Sequence, residues 1–168
     1  MDLTYSPEHE AFRREVLAFL DAHRSKAPRG RGAAQRPSAE ALAWQALLIE
    51  HGYAARTIPK AYGGFGAAPD ILKSRIIGEA FTRAGLPPGL QNQGISMLVP
   101  TLLELGSEEQ KLRWIGPTIR GEIIWCQGYS EPGAGSDLAS LQTRGIENGD
   151  DFVINGQKIW TSTAREAD

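Results

Sequence analysis

The residues best suited to chemistry in this chain lie in one stretch, Trp125 to Asp137, reading W-C-Q-G-Y-S-E-P-G-A-G-S-D. It offers the hydroxyls of Ser130 and Ser136, the carboxylates of Glu131 and Asp137, and the small-residue turn Gly133-Ala134-Gly135. An apolar run, Ile123 to Cys126, reads as a strand that delivers its end to this loop. Pro132 biases Glu131 towards extended backbone, and the glycines allow a ligand to approach main-chain N–H groups closely. Free N–H groups at the end of a strand suit an anionic or a flat ligand.

Two familiar chemistries fail against these letters. A hydrolase elbow, G-x-S-x-G, needs glycine two residues on either side of the serine; Gly128 is in place, Pro132 is not glycine, and no histidine follows. Nucleotide binding by G-x-G-x-x-G needs a third glycine where Leu138 stands, and a P-loop needs lysine where Ser136 stands. Asp137 can equally cap a turn at Leu138-Ala139-Ser140. On residue types alone a structural turn and a ligand loop stay equally open. Trp160 is open in the same way, as core or as a flat wall for an aromatic ligand.

The remaining reactive side chains read as structural. His9, His23 and His51 fall at the ends of separate predicted helices, without metal-ligand spacing, and suit surface or capping roles. Cys126 is the single cysteine, which excludes an internal disulfide and a cysteine-rich zinc site and fits a reducing cytoplasm. Following an apolar run, it reads as an inert core thiol.

The elements that must position the loop are mostly helices. Ser6-Pro7-Glu8 starts the first, about Pro7 to His23, with Phe12, Val16, Phe19 and Leu20 on one stripe. A basic stretch, Arg24 to Arg36, reads as a solvated linker. Ser38 caps a second helix carrying Trp44, Leu47 and Leu48, ended by Gly52. Helix three, about Asp70 to Ala84, is expected to bury Ile71, Leu72, Ile76, Ile77, Ala80 and Phe81, with Gly85 and Pro87-Pro88 stopping it. Helix four, about Gln91 to Leu105, carries Pro100 and should kink there. Ser107 with Gln110 forms a capping box for a short fifth helix to about Trp114. The period then changes. Leu141 to Thr143, Asp151 to Ile154 and Lys158 to Thr161 read as short strands, with turns at Asn148-Gly149 and Asn155-Gly156. The order is α+β: an all-α helical domain, 1–121, then the start of an antiparallel β domain, 122–168. So few strands would leave an open edge, so the chain reads as cut within that domain.

With 168 residues, 41% hydrophobic and 23% charged, the composition is that of a soluble globular protein. A net charge of −2 gives no footprint for nucleic acid. Met1 to Tyr5 has no signal-peptide pattern, and no apolar run approaches membrane length.

The chain resembles the acyl-CoA dehydrogenase family. The resemblance runs through Pro59-Lys60-Ala61-Tyr62-Gly63-Gly64, Leu102 to Lys111 with Gly106-Ser107-Glu108-Glu109-Gln110-Lys111, Gly121-Glu122, Trp125, the octamer Ser130 to Asp137, and Asn155-Gly156-Gln157-Lys158-Ile159-Trp160. Order and spacing hold over essentially the whole chain, and Tyr129 departs from the aliphatic residue commonest at its position. The resemblance implies a helical N-terminal domain, a middle β-barrel domain, incomplete here, and a C-terminal four-helix domain. It implies FAD between the last two, often completed by a neighbouring subunit of a dimer or tetramer. A carboxylate would take the α-proton of an acyl-CoA thioester while hydride leaves the β-carbon for flavin N5, with an electron-transfer flavoprotein as acceptor, in fatty-acid and lipid metabolism.

Carried over, Gln127, Gly128, Tyr129, Ser130, Gly135 and Ser136 form the flavin loop, and Ser130 hydrogen-bonds the ring. Gly135 and Ser136 lie near phosphate, and Ser136 near the CoA part of the substrate. Trp160 packs on the isoalloxazine, with Thr161 and Ser162 beside its reactive edge. The base belongs to the C-terminal domain, so Glu131 is not it, and no catalytic residue is assigned here. Two alternatives accompany this reading: the same scaffold acting on a steroid side-chain CoA ester or a nitroalkane, and a short non-catalytic subunit paired with a longer one.

Overall fold

Helix ends in this chain are set by local chemistry. In a computed structural model describing residues 5–29 and 36–168, α1 spans Pro7–His23, α2 Ala39–Glu50 and α3 Ile71–Ala84. Their first turns are capped by the side chains of Ser6, Ser38 and Asp70, which accept from the N–H groups of His9, Ala41 and Lys73. Gly85 takes the left-handed conformation that ends α3. Residues 1–4, part of the stretch read for a signal peptide, and 30–35 of the basic linker lie outside the described residues.

The chain forms two compact units, Met1–Ile124 and Trp125–Asp168. In the first, Val16, Phe19 and Leu20 of α1 meet Trp44 and Leu48 of α2 and Ile76, Ile77, Ala80 and Phe81 of α3. Each large apolar side chain buried there contributes about 1.5–3 kcal/mol. A second cluster joins Ile58, Val99, Ile115 and Ile119. Gly64, in the Pro59–Gly64 turn, lies flat on Ile58: a Cβ there would sit 2.2 Å from the Ile58 carbonyl oxygen. No helix among the described residues is long and apolar enough to cross a membrane.

Three helical expectations need correction. Ile71 and Leu72 are exposed, because the first turn of α3 lies at the margin of the core, where Asp70 and Lys73 face His9 and Glu8. The expected fourth helix is a π-helical segment, Gly94–Leu98, followed by α4, Val99–Leu105. Pro100 supplies no N–H, and the turn before it widens, with Val99 N bonding to Gly94 O. The fifth helix, α5, does not stop near Trp114 but spans Glu108–Arg120 with Pro117 inside. Burial of Ile115, Thr118 and Ile119 on that face outweighs one missing backbone bond, and Gly121 ends the helix in the left-handed region. The capping box at Ser107 is formed from both sides.

In the second unit the β structure is one antiparallel hairpin, β1 (Arg144–Asn148) with β2 (Asp151–Asn155), in register Ile146 opposite Val153. The sheet is not closed. Gly149, at φ +67, makes the two-residue turn. The strands expected at Ile123 to Cys126, Leu141 to Thr143 and Lys158 to Thr161 are absent. In place of a ladder, the last segment makes a single backbone bond to the loop that follows the first, Ile159 N to Ser130 O at 2.9 Å. In the middle one, the N–H groups of Gln142 and Thr143 go to a side chain instead of a strand. Without a ladder the Ile123 run buries only Ile124, and Cys126 is an exposed thiol, not a core one.

Candidate functional site

The loop folds back on itself immediately. Glu131 N donates to Ala134 O at 2.8 Å and Ala134 N to Glu131 O at 3.1 Å, so Pro132 and Gly133 form the tip of a tight turn. Ser140 Oγ then donates to Gly133 O at 3.0 Å and to Asp137 O at 2.9 Å. Asp137 does precede the short helical turn Leu138–Ser140, but through its carbonyl; its carboxylate caps nothing.

Glu131 is the organising side chain. Its carboxylate is 6% exposed and accepts three hydrogen bonds: Gln142 N at 2.7 Å, Thr143 N at 3.0 Å and Lys158 Nζ at 2.9 Å. The surroundings lower its pKa to about 2. The Thr143 side chain has the largest effect, then Lys158, then the Gln142 N–H; the Thr143 hydroxyl lies close by but falls short of full hydrogen-bond geometry. A carboxylate held ionised by three donors, with three of its lone-pair sites occupied, is a poor proton acceptor.

Lys158 also donates to Tyr129 O at 3.1 Å. With the Ile159–Ser130 bond, this lays the segment 158–160 along residues 128–131. Gly156 permits the packing behind it: a Cβ there would sit 2.1 Å from Thr143 Oγ1 and 2.8 Å from Thr143 Cα. Trp160 follows at φ +56 and is 86% exposed, which settles against a core role within its unit. Thr163, also in the left-handed region, donates from Oγ1 to Trp125 O at 3.2 Å and carries the 161–163 turn back to the start of the loop.

The structure therefore brings Gly128, Tyr129 and Ser130 beside the segment leading to Trp160. Tyr129 is exposed, Gln127 and Ser130 are half-buried, and Thr161 and Ser162 continue directly from Trp160. Gly135 and Ser136 are exposed beyond the Glu131–Ala134 turn, and no hydrogen bond among the described residues ties them to Trp160. A Cβ at Gly133 or Gly135 would meet nothing, so the backbone there is bare. Among the described residues no cluster of His, Cys, Asp and Glu has the makings of a metal site. The motif Asn155 to Trp160 contains Lys158 but assigns it no role. Its partner lies 27 positions earlier, and no periodicity links them.

The chain is similar to known proteins over most of its length. Residues 6–122 match the family "Acyl-CoA dehydrogenase, N-terminal domain" and residues 126–168 match "Acyl-CoA dehydrogenase, middle domain". The chain belongs to the acyl-CoA dehydrogenase family. It is 38% identical to Acyl-CoA dehydrogenase IpdE1 of Mycobacterium tuberculosis over 162 residues, covering 92% of this chain and 41% of that protein. It is 33% identical to Acyl-CoA dehydrogenase FadE26 of the same organism, covering 100% and 42%. Among solved structures, the Tcur3481-Tcur3483 steroid ACAD aligns with TM-score 0.69 and 35% identity, over 100% of this chain and 43% of that one. The chain thus spans about two fifths of the length of these relatives.

Proposed function

We propose that this chain supplies the flavin-holding part of an FAD-dependent acyl-CoA dehydrogenase, with the proton-abstracting base contributed by residues outside it. The observation that carries this reading is the juxtaposition of Ser130 with the segment ending in Trp160, made by the Ile159–Ser130 bond and by Lys158. The donor set fits a ligand that is flat at one end and anionic at the other. It combines an exposed indole face, bare glycine backbone, and the hydroxyls of Ser130, Ser136 and Ser162, none of them bonded among the described residues. Gln127 to Ser130 with Trp160, Thr161 and Ser162 would hold the ring. Gly135 and Ser136 would face phosphate, and Ser136 the CoA portion of the substrate. Bound FAD would accept the hydride that leaves the β-carbon of an acyl-CoA thioester.

Within the chain, Ser130 and the backbone donors orient the ring and stabilise charge that develops on it. Glu131 moves no proton. The electron acceptor in this reading is an electron-transfer flavoprotein, and the assembled enzyme is an oligomer working in the cytoplasm on lipid or fatty-acid thioesters. A second reading, a steroid side-chain CoA ester as substrate, is favoured by the alignment of this chain with 43% of a structure described as a steroid ACAD.

The test is titration of the purified chain with FAD, followed by tryptophan fluorescence and by the flavin absorption band retained after gel filtration. Saturable quenching that Trp160→Ala abolishes is expected, without turnover of acyl-CoA by this chain alone. Absence of quenching at millimolar FAD, or turnover by the chain alone, would overturn the reading.

A further inference from the structure

The Glu131 carboxylate does more than close its own turn. It is the one buried acid of the second unit among the described residues, and its three donors come from two segments distant from it in the chain. Two are the backbone N–H groups of Gln142 and Thr143, which lead into β1. The third is Lys158, two residues before Trp160 and bonded also to Tyr129 O. A charged group this thoroughly desolvated is retained at a cost, and losing any partner leaves the remainder poorly satisfied. The arrangement acts on both sides of the ring-holding region at once. The 128–131 stretch of the loop and the 158–160 segment have one backbone bond between them, and Lys158 adds its bonds to Tyr129 O and to the Glu131 carboxylate.

We propose that Glu131 is a positioning residue that fixes Ser130 and Trp160 relative to each other, so that they present one flat, donor-lined face to the flavin ring. The ligand in this statement rests on the function proposed above; the clamp does not. Charge is essential to it. In Glu131→Gln the shape is kept, but the carboxamide turns an NH2 towards N–H and ammonium donors and can accept from only one side.

The experiment is residue-resolved amide hydrogen exchange on the full chain, paired with FAD titration, for the unmodified protein and Glu131→Gln. Expected are at least tenfold faster exchange at Gln142, Thr143 and Ile159, unchanged protection in the β1–β2 hairpin, and a Kd for FAD raised about tenfold or more. Lys158→Met removes one arm and should accelerate Ile159 while sparing Gln142 and Thr143; it decides the matter if Glu131→Gln does not fold. Unchanged exchange at the three amides overturns the proposal. Simultaneous loss of hairpin protection overturns it in favour of a general folding role, and an FAD Kd within about twofold of the original, despite freed amides, removes the link to binding. Failure of the unmodified chain to bind FAD tells against the flavin reading alone, and the exchange pattern then decides the clamp.

Discussion

Replacing Gln45 by leucine removes one side-chain amide that serves two backbone groups. Its Nε2 donates to Ile119 O at 2.7 Å and its Oε1 accepts from Leu90 N at 2.8 Å, with the residue 2% exposed. Ile119 lies in the last turn of α5, where carbonyls have no partner within the helix. Leucine of similar volume therefore leaves a buried carbonyl and a buried N–H unpaired, at about 1–3 kcal/mol each. The added apolar burial returns about 1–2 kcal/mol, so the net loss is about 1–4 kcal/mol. In a unit of this size that lowers Tm by on the order of 10 °C. Thermal and urea unfolding followed by far-UV circular dichroism reads it directly, because the first unit holds all five α-helices described. A variant whose Tm stays within about 2 °C of the original would refute the accounting of orphaned backbone groups.

Three further outcomes are expected. Trp160→Ala should change stability by no more than about 0.5 kcal/mol, since the ring is exposed, yet abolish flavin-dependent quenching; equal quenching in the variant would remove Trp160 from the site. Gly156→Ala must push Thr143 backbone away from the carboxylate, a strain of about 1–3 kcal/mol, and exchange at the Thr143 amide should rise, an unaltered rate being the contrary result. The Glu131 carboxyl, lowered from 4.5 to about 2, contributes stability to the second unit in full above pH 4.5, and loses it as pH falls from there towards about 2. Near-UV circular dichroism of the unmodified chain should show that acid-dependent loss, and Glu131→Gln should lack it.

The helix starts were legible because each is decided within four residues. Ser6, Ser38 and Ser107 cap the turns that follow them, and Gly85 and Gly121 close helices by their own left-handed backbone. What escaped depends on partners distant in the chain. Pro117 reads as a stop, yet the buried face of Ile115 and Ile119 carries α5 through it. Pro100 reads as a kink, yet the turn before it widens into a π-helical segment. Leu141 to Thr143 alternate like a strand, but Glu131 takes the N–H groups a ladder would need. The site was legible as a set of letters, through the octamer and the later Asn155 to Trp160 motif. Its mechanical centre was not, because nothing in the sequence says that Glu131 and Lys158 meet.

The hairpin sets a practical bound on handling this chain. Every residue of β1 and β2 is exposed, and Ile146 and Val153 crowd one face while Phe152 and Ile154 occupy the other. Each strand has one neighbour, so half of its backbone donors and acceptors face outward. Unpaired edges beside apolar side chains template further strands. Concentrating the isolated chain will therefore favour β-rich aggregates nucleated at Phe152 to Ile154, and a lysine in place of Val153 is the simplest change to keep it in solution.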